Sequence, residues 1–143
     1  MKLFKGKLTE KASLGRFGER EAEKYLSKQG YITLERNFRH SHSEIDLILL
    51  DGDCTVFCEV RTHNVLKSHY LTPSESISEN KKASLSKGAS FYMGTHFYSD
   101  KCRFDVVEVF AENGKVIKIN HIKDAFYKTR QKKKGTGYKL CRK

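Results

Sequence analysis

Residues 43–63 read SEIDLILLDGDCTVFCEVRTH. Two apolar runs flank Asp51-Gly52, a strong two-residue turn signal, so the segment is expected to fold as a β-hairpin. Folding it there sets Leu50 against Asp53, Asp46 against Phe57 and Glu44 against Glu59. Directly opposed residues point to one face. Glu44, Asp46, Glu59 and Arg61 then share one face, and Ile45, Leu47, Leu49, Cys54, Val56, Cys58 and Val60 form an apolar core face.

The charges gather at the end of the hairpin away from the turn. Asp46 and Glu59 become diagonal neighbours, within reach of one divalent ion. Two carboxylates at close quarters repel unless positive charge lies between them. Arg61 could supply it as a structural ion pair. A hard cation such as Mg²⁺ could supply it too, since it favours oxygen ligands and keeps waters for substrate phosphates. A solvated strand end is the plain alternative.

Working outward, residues 13–29 carry a small and apolar stripe of Leu14, Gly18, Ala22, Tyr25 and Leu26, which predicts a helix. Ser13 is its expected N-cap and Gly30 its stop. Residues 31–38 alternate as a strand. Beyond the hairpin, residues 64–75 hold the only proline, Pro73, and are expected to form a loop. Residues 76–97 predict a second helix with Ile77, Leu85, Ala89 and Tyr92 inward. Residues 102–110 and 115–119 predict strands joined at Glu112-Asn113-Gly114. Residues 121–127, HIKDAFY, predict a short helix. The order implies an α/β domain, a central mixed β-sheet flanked by helices.

The 143 residues fit one domain. The formal net charge of +11 favours phosphate-rich partners or anionic surfaces. No apolar run is long enough to span a membrane, and the N-terminus lacks the apolar core of a secretory signal. The four cysteines have no zinc spacing and are expected to be reduced thiols in a cytoplasmic protein. Residues 128–143 hold eight basic residues and no acid, so they are expected to form a separate, disordered arm following a domain of residues 1–127. Lys132, Lys133 and Lys134 would bind phosphate there, or simply solubilise the chain.

The SEID of residues 43–46 followed by the CEVR of 58–61 resembles the acidic core of the PD-(D/E)xK nuclease superfamily, which has the restriction-endonuclease-like fold. The nearest resemblance is to its YraN-like family of endonuclease-like proteins. It extends over GRFGEREAEKYLSKQGY (15–31), ERNFR (35–39), SEIDLI (43–48), VFCEVRTH (56–63), Lys81, RFDVV (103–107) and AF (125–126). The resemblance implies that Asp46 and Glu59 bind Mg²⁺ or Mn²⁺, with the backbone carbonyl of Val60 as a further ligand. It implies an added acidic role for Glu19, whose plain alternative is an exposed helix glutamate. The implied activity is metal-dependent hydrolysis of phosphodiester bonds, in DNA more than RNA.

Two positions depart from the pattern. Arg61 replaces the superfamily lysine; it stays protonated and cannot act as a general base, though it can hold a phosphate. Arginine also occurs there among YraN-like proteins. Lys81 could supply an ammonium from the second helix, or be an ordinary helix-surface lysine. Ser43 stands where the family usually has glycine. Two other functions fit the same features: a catalytically silent nucleic-acid-binding module, and an interaction subunit that docks by its basic tail.

Overall fold

The computed structural model describes residues 10–65 and 77–126, and the backbone of 139–140. The chain runs α1 (Glu10–Lys28), β1 (Ile32–His40), β2 (Ser43–Asp51), β3 (Cys54–Asn64), α2 (Glu79–Thr95), β4 (Lys101–Glu112), β5 (Lys115–Phe126) and β6 (Lys139–Leu140). Five strands lie in the order β1-β2-β3-β4-β5, and β6 pairs with β4. The β3–β4 and β4–β6 pairings are parallel and the others antiparallel. This is the mixed sheet expected from the sequence, with one helix packed on each face.

Helix α1 buries Gly18, Ala22 and Leu26, spaced four apart and therefore on one face. Its end is a Schellman turn: Tyr31 N–H donates to Leu26 O and Gly30 N–H to Ser27 O, with Gly30 at φ +95°. The helix begins at Glu10, upstream of the expected cap Ser13. On its side of the sheet it covers Leu47, Leu49, Val56, Cys58, Val107 and Val109. Helix α2 is N-capped by Ser78, whose hydroxyl accepts from Lys81 N–H. It covers Ile45, Ile48, Phe57, Phe104 and Val106 on the other side.

The hairpin forms, but the turn is one residue later than expected. Asp51 pairs with Cys54 and Leu47 with Cys58, leaving Gly52 (φ +58°) and Asp53 as the turn. Gly52 is the residue that adopts the positive φ at no steric cost. The register moves by two, so each residue keeps its facing parity. The expected division into one oily and one charged face does not hold. Ile48 and Phe57 are buried under α2 while Leu47 and Cys58 are buried under α1, because the sheet is covered on both sides.

Residues 121–126 form no helix; they complete β5. Ile122 pairs with Val106 and Phe126 with Phe104, and cross-strand packing outweighs local helical pattern. Asp124 sits at φ +53° where the register shifts. Cys54 is disulfide-bonded, whereas Cys58 and Cys102 are buried and form no disulfide, which corrects the expectation of four reduced thiols. No described helix is long and apolar enough to cross a membrane. Most of the expected loop at 64–75, and the basic tail with Lys132, Lys133 and Lys134, lie outside the described residues. Within that tail, Lys139 and Leu140 pair with Lys101 and Cys102 of β4.

Candidate metal centre

The β2–β3 ladder ends at Leu47 and Cys58. The next residue on each strand is Asp46 or Glu59, so the two carboxylates meet where the strands part. Strand β2 changes direction there: Ile45 packs under α2 and Leu47 under α1, although they are two apart. Across from Asp46 on β1, between the pairs Arg36–Leu47 and Phe38–Ile45, Asn37 takes φ +50°. Asparagine tolerates that conformation better than most residues. The local twist turns Asp46 toward a cleft of about 280 Å³ lined by Arg16, Glu19, Arg20, Glu23, Arg36 and Asn37.

Asp46 Oδ2 accepts the backbone N–H of Val60 at 2.8 Å. Glu59 points to the α2 side, where its Oε1 meets Lys81 Nζ at 3.5 Å. The Asp46 and Glu59 carboxyls are near enough for the charge of Asp46 to act on Glu59. Two ionised carboxylates at close quarters repel, and a proton on one of them or a cation between them relieves the repulsion beyond what Lys81 supplies. Glu59 Oε2 is buried and finds no donor among the described residues.

The electrostatics follow from this crowding. Burial, then the neighbouring charge of Asp46, pushes Glu59 up to about 7 against the pull of Lys81 and Arg61. Asp46 is raised by burial and by Glu44, although Val60 N–H and Lys81 oppose the rise. Glu19 is also raised, first by burial and then by Asp46 and Glu44; a hydrogen bond with Asn37 and the charge of Arg16 counter it. Glu19 therefore feels Asp46 across the cleft. Among the described residues, no three His, Cys, Asp or Glu side chains form a metal-holding group. Asp46 and Glu59 could thus contribute two carboxylates to a cation that keeps backbone or water ligands, the habit of Mg²⁺ rather than of structural zinc.

The positions singled out in the sequence divide. Asp46, Glu59, Val60 and Lys81 come together, and Glu19 lines the cleft onto which Asp46 opens. Arg61 lies on the Glu59 side of β3, in register with the fully buried Glu108 of the parallel β4. Arg16, Arg20, Arg36 and Asn37 were not foreseen as cleft residues. The i, i+3 and i+4 spacing of Arg16, Glu19, Arg20 and Glu23 was the available signal for the α1 side. Arg36 is bound to Glu23 at 2.8 Å, so burial of Glu23 is outweighed and its carboxyl is lowered.

Two glycines let the helices approach. A Cβ on Gly18 would collide with the Thr62 side chain, and one on Gly88 with Ser43 and Ile45. Gly18 thus seats α1, and Glu19 with it, against β3. Ser43 Oγ donates to Ser84 O of α2 at 2.6 Å, so the serine at this departure from the family pattern ties the hairpin entry to the helix.

A family model, "Uncharacterised protein family UPF0102", matches residues 18–109, which hold Glu19, Asp46, Glu59, Arg61 and Lys81. A UPF0102 protein of Chlorobium chlorochromatii is 40% identical over 119 residues, covering 80% of this chain and 91% of that protein. One of Caldicellulosiruptor saccharolyticus is 41% identical over 119 residues, covering 81% and 98%. One of Caldicellulosiruptor bescii is 44% identical over 116 residues, covering 79% and 96%. On this match and on its fold, the chain belongs to UPF0102, the YraN-like family of the restriction-endonuclease-like superfamily.

Proposed function

We propose that the protein is a metal-dependent nuclease that binds nucleic acid, DNA in preference to RNA, and hydrolyses its phosphodiester bonds. The observation that carries this reading is the buried Oε2 of Glu59, which finds no donor among the described residues and lies near the charge of Asp46. Such a pair is costly in a purely structural role and is relieved by a divalent cation. Asp46 and Glu59 would hold Mg²⁺ or Mn²⁺. The carbonyl of Val60 would assist, because a strand residue directs its C=O to the same edge as its N–H, and that N–H meets Asp46. When bound, the cation supplies Lewis acidity toward the scissile phosphate and an attacking water. Lys81 places an ammonium beside Glu59, where it can face a phosphate oxygen once the cation takes its place on the carboxylate. Arg61 holds substrate charge without serving as a base. Glu19 adds negative charge on the far side of the cleft, and Arg16 and Arg20 offset it toward a phosphate backbone.

Arg61 favours one competing reading, a nucleic-acid-binding module on the same fold that does not cut. The test is a cleavage assay on several DNA and RNA forms with Mg²⁺ or Mn²⁺. Wild type is expected to cut. Asp46→Ala and Glu59→Ala are expected to fall by at least about a thousandfold while binding persists, the scale of losing central charge stabilisation. Binding without metal-dependent cutting in wild type would establish the module instead. No binding at low salt would overturn both.

A further inference from the structure

We propose that His40 and Phe91 form a stacking platform for an unpaired nucleobase, so that the substrate carries a single-stranded portion beside the metal centre; this rests on the nucleic-acid reading above. The two rings lie parallel, 3.5 Å apart between centroids and tilted by 6°. Phe38 backs Phe91 at 6.3 Å and is itself held edge-on by Tyr92 at 5.3 Å. Despite these contacts Phe91 stays 40% exposed. The platform is therefore anchored by Phe38 and Tyr92 while part of Phe91 remains open to solvent. A nucleobase has a flat face that stacks on such a surface whatever its sequence.

The surroundings suit a nucleic-acid strand. Asn80, Ser84, Lys87 and Phe91 recur at helical spacing, placing them along one face of α2. Lys87 is exposed one turn before Phe91, and Arg39 is exposed next to His40. Lys81, which touches Glu59, lies ten residues before Phe91, about 15 Å of helix rise. That span is a few nucleotides. A strand lying along α2 could place its phosphate at the carboxylates and an unpaired base on the rings. A duplex keeps its bases stacked on each other and cannot use the platform without opening.

The sequence contains no tryptophan, so Phe91→Trp gives a sole indole reporter at the platform. Phe97→Trp, at a position 90% exposed beyond the end of α2, gives a control reporter. Both variants, with melting curves matching wild type, would be titrated in EDTA with a single-stranded oligothymidine and with a duplex of equal length. Strong quenching at position 91 by the single strand alone is expected. Phe91→Ala should bind the single strand about tenfold more weakly, with duplex affinity unchanged. Single-strand binding with no quenching at 91, or an unchanged affinity in Phe91→Ala, would overturn the platform and leave the nuclease reading intact. No binding of either oligonucleotide would overturn the nucleic-acid reading itself.

Discussion

Asp46 with Glu59, and Asp105 with Arg103, are two buried charge clusters on one sheet, and their carboxyls move in opposite directions. Asp105 is fully buried, and burial alone would raise it. It accepts from Arg103 Nε at 2.9 Å, from Asp124 N–H at 3.0 Å, and meets His121 Nε2 at 2.8 Å. These outweigh burial and hold it below its usual value. Arg103 also reaches Asp51 at 2.8 Å and the Tyr31 hydroxyl at 2.7 Å. The Asp105 carboxylate is thus held by several internal donors, and Arg103 by several internal acceptors. At Asp46 and Glu59 the partners are too few, and both carboxyls are raised. A satisfied buried cluster holds elements together; an unsatisfied one waits for something from outside.

The largest effect should come from breaking the satisfied cluster. Asp105→Ala leaves Arg103 buried without its main counter-charge, and urea denaturation should show a loss of about 3–5 kcal/mol. The cluster ties β4 to β5 at the bulge, to the start of β1 and to the hairpin turn, so the loss should be global. A loss below about 1 kcal/mol would erase the contrast. Gly18→Ala should cost about 1–3 kcal/mol by forcing α1 away from Thr62, as overpacking does. It should also weaken cation binding, because Glu19 moves with the helix; a variant as stable as wild type would show that α1 has room to shift.

A subtler effect separates the clusters by pH. Glu59 has a raised folded value, so between its ordinary 4.5 and about 7 the folded chain holds a proton that the unfolded chain has released. Metal-free stability therefore falls as pH rises through that window. Glu59→Gln should flatten the fall and be more stable than wild type at pH 8 by about 1–2 kcal/mol. Asp105 has the opposite sign. Its contribution is complete above 3.8 and is lost as pH drops through its lowered folded value. Urea midpoints at several pH values in EDTA would resolve both limbs; a profile that rises from pH 5 to 8 would contradict the strain assigned to Glu59.

Much of this site was legible in the chain. Asp51-Gly52 marked the hairpin to within one residue, and alternation then brought Asp46 and Glu59 to one end of it. A shift of two residues preserves parity, so the pairing survived an imprecise turn. The second face of the hairpin was misjudged, because Ile48 and Phe57 are buried only once α2 crosses over to make the β3–β4 pairing parallel. Alternation cannot reveal a cover that arrives later in the sequence. The twist at Asp46 was also hidden, since it depends on Asn37 in a neighbouring strand. In HIKDAFY, the pairing of Phe126 with Phe104 is a long-range choice with no local trace.

The most direct test of the proposed cation site is calorimetric titration of Mn²⁺ into the wild-type protein and into Glu59→Gln and Asp46→Asn, at pH 5.5 and pH 8. Wild type should bind one ion more tightly at pH 8, release a proton as it binds near pH 7, and gain about 2.7 kcal/mol of stability at a hundredfold excess over Kd. Both variants should lose binding. Equal binding by wild type and variants, or binding without dependence on pH, would contradict the assignment of Asp46 and Glu59 as the cation's ligands.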